Sequence, residues 1–394
     1  MRFGLASAAI AAWLAMTACV TTTGPRDTLY DQCGDQTVEA EARVQACTAA
    51  IADGGRYDWE LPYLYTDRAK AWSYLGDHAQ AVADATKAVD LNPKESVLLL
   101  TRAMIHVEAG KSGSAIKDLT AAIALEPEKP EAYRMRGMLL VWLGYYAKGL
   151  VDIDAALRLS PPTAVDQFSR GKAYLRLKQP LFALAALSEG IRLGGKSSEA
   201  FALRADAKRQ LMDLPGAVAD IEQAFQINAK NAEAYSVRSW IRHDQGDDEK
   251  AIADIDEAAR LEPDNFYYQG NRCTLRLIAA REFDQALAAC TATLALRPRH
   301  PDILSARGVI LLKRGQVDDA AADFGACLDD QLSKVEAERD ALDHAFCLYG
   351  RALTALKNPS TPGLIRDSAR NDLRAAETIR PDVPHTFASY GLTP

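Results

Sequence analysis

Arginine stands at positions 68, 102, 136, 170, 204, 238 and 272, a step of 34 residues kept six times, and Arg307 follows one residue late. Small residues hold the same register one place further on: Ala69, Ala103, Gly137, Gly171, Ala205, Ser239, Cys273 and Gly308. A second small series runs Ala81, Ala115, Gly149, Ala183, Ala217, Ala251, Ala286 and Ala320. Proline returns at Pro93, Pro127, Pro161, Pro263 and Pro298. A fixed period of this length means one supersecondary unit repeated, each copy too small to bury its apolar face alone and completed by its neighbours. Without the period, a chain of 394 residues would be expected to divide into two or three unrelated domains.

One unit shows how the period is built. In YRMRGMLLVWLGYYAKGLVDIDAALRLSP an aromatic, Tyr133, is followed by small Gly137, turn glycine Gly144, small Gly149, bulky Ile153, small Ala156 and Pro161. Helices packed about 8 to 10 Å apart need Gly or Ala where their backbones cross. The glycine between them supplies a left-handed turn, and the proline stops the second helix. Period and occupants resemble the tetratricopeptide repeat, a pair of antiparallel helices per unit. The resemblance covers residues 62–332, with a degenerate half-repeat at 31–55 and a distorted last repeat and cap at 341–394. It implies an all-α fold, a right-handed α-solenoid of stacked antiparallel helix pairs. Gly195 and Ala229 stand where proline is expected, so those two repeats are expected to end more loosely. The stretch 357–368 interrupts the last repeat, and Phe387 and Tyr390 are spaced for a short final helix that caps the array.

The N-terminus gives an address. One charge, Arg2, precedes an apolar run from Phe3 to Met16, too short to span a bilayer and shaped as a secretory signal. Residues 1–18 therefore read as a signal peptide. Either cleavage leaves Cys19 as a free thiol, or Met16-Thr17-Ala18-Cys19 is a lipobox; the latter resembles the bacterial lipoprotein pattern. That resemblance implies a lipidated Cys19, with palmitate-type acyl chains, at the head of a flexible tether over 19–30. Buried acyl methylenes, each worth about 0.8 kcal/mol, would hold the protein at a membrane it does not cross. Val20, where an Asp would resemble the inner-membrane retention signal, points to the outer membrane of a Gram-negative cell, facing the periplasm. The net charge of −7 argues against a nucleic-acid or anionic-lipid surface as partner.

Subtracting Cys19 leaves Cys33, Cys47, Cys273, Cys290, Cys327 and Cys347, an even set that falls into three sequence-local pairs. An oxidising compartment favours disulfides, whereas in the cytosol the same residues would be scattered buried thiols. The repeat resemblance puts Cys273 in the small position of one helix and Cys290 in the bulky position of its partner, so a bridge would pin that hairpin. Cys47 shares the position of Cys290, with Cys33 fourteen residues upstream. Cys327 and Cys347 would join neighbouring repeats. Each bridge would contribute roughly 2 to 4 kcal/mol.

Six arginines are followed sixteen residues on by an aspartate: Asp84, Asp118, Asp152, Asp220, Asp254 and Asp323. A fixed offset is what an internal ion-pair ladder requires and a ligand site does not. Arg170 and Arg272, which lack that aspartate, are the candidates for ligand contact. The six histidines have no metal-ligand spacing, and neither a phosphate loop nor a nucleophile elbow occurs, so no metal, cofactor or enzymatic activity is expected. The segment HDQGDDEK lacks the alternating ligands of a calcium loop and reads as a turn between helices.

Function is thus expected from the surface. The resemblance implies that the first helix of each pair lines a concave groove. At its groove positions stand Tyr63, Lys70 and Tyr74; Leu100, Met104 and Val107; Arg134, Met138, Val141 and Trp142; Phe168, Lys172, Leu175 and Arg176. Polar residues follow, Asp206, Arg209 and Gln210, then Trp240, His243 and Asp244. An apolar run of Leu100, Met104, Met138, Val141, Trp142, Phe168 and Leu175, with Trp240 beyond it, marks an interaction site for a peptide or helix. The alternative is that the terminal segment or a second copy fills it. Thr66, Lys70 and Thr101 replace the residues of a chaperone-tail carboxylate clamp, so that partner class is not expected. The reading is a non-catalytic, lipid-anchored periplasmic scaffold that binds envelope proteins or peptides in envelope assembly, secretion or pilus biogenesis. A second reading is a binder of a small envelope ligand, a peptidoglycan fragment or polysaccharide, stacking on Trp142 and Trp240.

Overall fold

The computed structural model describes residues 27–55, 57, 59–280, 282–332 and 341–394. The signal peptide and Cys19 lie outside the described residues. Within them the chain forms 21 helices and no strand. It divides into two compact units, Met1–Gly195 and Lys196–Pro394.

The first unit contains five helix pairs: α1 (Asp27–Gly34) with α2 (Ala40–Ala52), α3 (Leu61–Tyr74) with α4 (His78–Leu91), α5 (Ser96–Glu108) with α6 (Ser112–Leu125), α7 (Pro130–Trp142) with α8 (Tyr146–Leu159), and α9 (Ala164–Arg176) with α10 (Pro180–Arg192). The second contains α11 (Ser198–Gln210) with α12 (Leu214–Ile227), α13 (Ala232–Asp244) with α14 (Asp248–Leu261), α15 (Phe266–Ile278) with α16 (Phe283–Leu296), α17 (Pro301–Lys313) with α18 (Val317–Leu332), α19 (Ala341–Lys357) with α20 (Gly363–Ile379), and a terminal α21 (Val383–Ser389). Inside each unit every pair packs on the next. Helix α1 begins at Asp27, so the last four residues of the segment read as a tether are helical, and Tyr30 is already core beside Cys33, Cys47 and Leu64.

Local chemistry sets where the helices start. Asp77, Asp213 and Asp247 cap α4, α12 and α14, each accepting from the backbone N–H three residues on. Thr163 and Asp166 form a reciprocal capping box at α9. Proline occupies the first turn of α3, α7, α10, α12 and α17, where its missing N–H has no partner to lose. HDQGDDEK is the α13–α14 turn, with Asp248 held against His243 Nδ1 at 2.6 Å.

The two small series meet at the crossings. Alanines 69, 81, 103, 115, 183, 205, 217, 251, 286 and 320 are wholly excluded from solvent. Where both partners are glycine, α7 and α8 come into backbone contact. A Cβ on Gly149 would stand 2.8 Å from the Gly137 carbonyl oxygen and 2.6 Å from Val141 Cγ2. At α17 the room left by Gly308 is taken by the Phe324 ring. Gly195 has the same explanation: its expected proline is absent because the Phe168 ring lies against it and against Gly190.

The turns inside the eight pairs from α3–α4 to α17–α18 each contain a left-handed residue. Glycine supplies it at Gly76, Gly110, Gly144, Gly246 and Gly315, but Lys178 (φ 56°), Met212 (φ 64°) and Ala280 (φ 52°) adopt it elsewhere. The largest apolar cluster closes the second unit, from Cys273 to Leu392. There Phe387 of α21 is wholly buried, its ring 4.4 Å from Phe346 and 4.9 Å from Tyr349, and Lys313 Nζ donates to the Tyr390 carbonyl at 2.7 Å. The stretch at 357–368 is a short turn, Asn358–Pro362, followed by the start of α20.

Two substitutions of opposite sign test these backbone demands. Gly149→Ala forces α7 and α8 apart and lowers unfolding free energy by about 1 to 3 kcal/mol. Met212→Gly relieves a left-handed side chain that is 74% exposed, and stability rises by up to about 1 kcal/mol. Urea midpoints for both variants and the parent decide the matter.

Candidate interaction surface

Which side chains remain available depends first on where the repeated arginines go. Arg68, Arg102, Arg136, Arg204, Arg238 and Arg307 each grip the aspartate sixteen residues on with two parallel bonds of 2.6–2.8 Å. The aspartates are buried and the arginines partly so. This fork geometry fixes one helix against its partner. Hydrogen bonding to Asp84, Asp118, Asp152 and Asp323 holds the guanidiniums of Arg68, Arg102, Arg136 and Arg307 above the ordinary arginine value, against the opposing effect of burial.

Arg170 and Arg272 are not open to a ligand as the sequence reading had them. Each turns the other way along the stack. Arg170 Nε lies 3.1 Å from Asp154, and Arg272 Nε 2.9 Å from Asp256, both sixteen residues earlier. These aspartates are the second carboxylates of two Asp-Ile-Asp triplets whose first members, Asp152 and Asp254, serve the ladder of the preceding repeat. The fully buried Arg276 joins the same network through Asp256 at 2.7 Å and Glu282 at 2.9 Å.

The groove residues divide. Val141 and Leu175 are 3% and 5% exposed and do not face solvent. Each lies four residues, one helical turn, beyond the crossing glycine, Gly137 or Gly171, and so shares the face turned to the partner helix. Phe168 is spent on Gly190 and Gly195. Arg134 is buried and ties α7 to α9, donating to Asp166 at 2.9 Å, Ser160 Oγ at 2.6 Å and the Pro161 carbonyl at 3.1 Å. Leu100 packs between two core clusters. Of the predicted apolar run, Met104 and Met138 are half-exposed and Trp142 is 53% exposed. Lys70 and Lys172 occupy the register of the two methionines one repeat before and one after. The open apolar stripe of the first unit is therefore narrow: two methionines between lysines, with Trp142 where α7 ends.

In the second unit the corresponding face is polar. Arg209 bonds Asp206 and Asp244, each at 3.1 Å, and its guanidinium lies 5.9 Å from the Trp240 ring centre. Trp240 also meets His243 edge-on and packs against the α13–α15 core. This is a closed network of side chains, not an apolar slot.

The six cysteines meet in the pairs 33–47, 273–290 and 327–347, with Cα separations of 4.7, 4.9 and 6.1 Å, inside the range a disulfide needs. All six are excluded from solvent.

One titratable group is conspicuous for its lack of support. His106, at the end of α5, is buried with Nδ1 unpartnered. Desolvation pulls its pKa below 6.5, Asp118 at 3.7 Å opposes that, and Arg102 and Lys111 add to it.

Family models of the tetratricopeptide repeat match residues 62–95, 100–164, 232–265 and 275–329. The gap between the second and third matches holds Gly195, Met212 and Ala229, where the pattern departs. A tetratricopeptide repeat protein from Parabacteroides merdae superposes with a TM-score of 0.50 at 20% identity, over 64% of this chain and 98% of that one. Yeast Tom70 gives 0.45 at 16% identity over 93% of this chain and 88% of its own. PilF of Pseudomonas aeruginosa gives 0.44 at 18% over 53% and 95%. At 20% identity the likeness to the Parabacteroides merdae protein is one of fold. No curated protein sequence matches the chain.

The ladder predicts an asymmetry. Arg136→Ala strands a buried carboxylate and lowers stability by about 2 to 4 kcal/mol, whereas after Asp152→Ala the longer arginine reaches water and the loss is about 1 to 2 kcal/mol. Arg136→Met with Asp152→Leu recovers most of it; denaturant midpoints of the three variants report this directly. For His106 the folded pKa is the lower one, so the unfolded chain binds the extra proton. Its contribution is intact above pH 6.5 and is lost as pH falls below that value toward the folded pKa. His106→Leu should therefore flatten the fall in stability measured on going from pH 7.5 to pH 5.5.

Proposed function

The chain is a tetratricopeptide repeat protein, and from that premise we propose that it is a non-catalytic adaptor of the bacterial envelope that captures a peptide or helix of a partner protein on the inner face of its first unit. The observation that carries this reading is the stripe of Met104 and Met138, half-exposed on successive first helices and bracketed by Lys70 and Lys172. Methionine is unbranched and polarisable, so two of them one repeat apart form a surface that adapts to an apolar side chain. Internal pairing of the ladder arginines leaves the methionine stripe as the recognition element.

The envelope address rests on the N-terminal residues. In this proposal residues 1–18 are a signal peptide, Cys19 carries the lipid, and the protein faces the periplasm from the outer membrane. The three buried cysteine pairs support the same compartment, since disulfides persist where the medium oxidises them. Its role in this proposal lies in envelope assembly, secretion or pilus biogenesis.

Site-specific photo-crosslinking from position 104 or 138 in cells tests the reading. A discrete protein adduct is expected, and Met104→Lys with Met138→Lys should weaken capture of that protein about 10- to 100-fold, roughly half of what burying two fully exposed methionines gives because both are already partly covered, with helicity unchanged. In the same cells Cys19→Ser should abolish incorporation of labelled palmitate. Undiminished capture by the double variant would remove the groove from the account, and undiminished labelling would remove the anchor.

A further inference from the structure

Every helix pair of the first unit is antiparallel and entered in the same direction, so the turns inside the pairs all lie along one side of that unit. The turns differ in chemistry. That of α3–α4 carries Asp77, and that of α5–α6 begins at Glu108. The next two, WLGYYAK at 142–148 and YLRLKQPLF at 174–182, carry Lys148, Arg176 and Lys178 and no carboxylate. Tyr145, Leu181 and Phe182 stand out from them at 55%, 69% and 62% exposure. The Phe182 ring is backed by Tyr174 at 5.4 Å, and Lys148 Nζ lies 5.9 Å from the Tyr145 ring centre. Lys178 itself occupies the left-handed turn position that Gly76, Gly110 and Gly144 hold in the three preceding pairs, and its side chain is exposed.

We propose that these two adjacent turns rest on an anionic phospholipid bilayer, with Tyr145, Leu181 and Phe182 in the interfacial layer and Lys148 and Lys178 against the headgroups. Rings with one polar end, and apolar side chains beside lysines whose stems reach past them, are the residue types that settle at the boundary between headgroup and acyl chain. The charge is complementary and local: the chain as a whole is −7, yet these turns are wholly basic. Tyr145 stands in its turn, and Leu181 and Phe182 in the first helical turn that follows the other, all three exposed. Among the described residues no helix is long and apolar enough to cross a membrane, so contact is made at the surface. The proposal does not depend on what the methionine stripe binds.

The test uses the full chain carrying Phe182→Trp, mixed with phosphatidylethanolamine–phosphatidylglycerol vesicles whose acyl chains are brominated close to the headgroup. The emission added by the new tryptophan, relative to the parent, should be quenched severalfold more than with unbrominated lipid. Adding Lys148→Glu and Lys178→Glu should abolish that difference with the circular dichroism unchanged, and replacing the anionic lipid by phosphatidylcholine should reduce it. Three outcomes overturn the proposal. The chain floats with the vesicles while the added tryptophan is unquenched, which means the N-terminal segment binds and this edge faces elsewhere. Quenching is indifferent to charge reversal and to lipid charge. Or Tyr145 and Phe182, replaced by a photo-crosslinker in cells, yield a protein adduct and no lipid adduct. Met104→Lys with Met138→Lys leaves the quenching intact, so failure of the groove and failure of this edge are read separately.

Discussion

Close approach of two helix backbones governs this molecule. Each hairpin exists because a small residue on one helix meets a small residue on the other, and the extreme is Gly137 against Gly149, where any side chain on either would strike the opposing backbone. Everything else adapts to that spacing. Where the crossing leaves surplus room a ring fills it, as Phe324 does at Gly308. Where the chain must reverse within a few residues it accepts a left-handed backbone, even at Lys178, Met212 and Ala280, which lack glycine's freedom. Packing of this kind is uniform along a stack and says little about which neighbour belongs to which.

The ion pairs add register. A bidentate arginine–aspartate pair tolerates little sliding, and six of them at a constant offset lock the two helices of their pairs at one relative height. Two repeats have lost their own aspartate, and in both the lost partner is replaced by the second carboxylate of an Asp-Ile-Asp triplet in the preceding pair. The substitution changes what is locked. An arginine bonded within its pair closes a hairpin; Arg170 and Arg272 tie α9 to α8 and α15 to α14. Arg134, reaching Asp166 in the following first helix, does the same. Ionic contacts thus supply both kinds of joint that a stack needs; the ladder aspartates and Asp166 are buried, whereas Asp154 and Asp256 are partly exposed, so their joints are the weaker ones.

The fold was legible because its determinants are periodic. Small residues, turn glycines and the arginine–aspartate offset all repeat, and each copy reinforces the next. The surface was less legible, for a physical reason visible at Val141 and Leu175. A helix turns 100° per residue, so membership of a face is decided by the offset from the crossing residue. Both sit one turn past a crossing glycine, which draws the partner helix close and covers them, whereas Met104 and Met138 are the immediate successors of crossing residues and stay half-open. Phe168 was misplaced for a related reason: the signal that it is buried was the absence of proline at 195, a local departure that only its neighbour's ring explains. The triplets preceding Arg170 and Arg272 were in plain view, but a search at a forward offset alone does not find a partner placed backward.

These assignments separate the faces of the first unit by what each has left unspent. The crossing face is consumed by small residues and the ladder. The inner face keeps two half-buried methionines, enough for one short segment and too narrow for a broad apolar partner. The turn side keeps aromatics, aliphatics and lysines on the α7–α8 and α9–α10 turns. A residue that strains the backbone while burying nothing, as Lys178 does, is hard to account for by stability, because glycine at the same place would hold the turn more cheaply. Yet Met212 and Ala280 hold their turns in the same left-handed conformation, so the strain is a cost of the fold, and the case for the turn edge rests on its exposed rings and lysines.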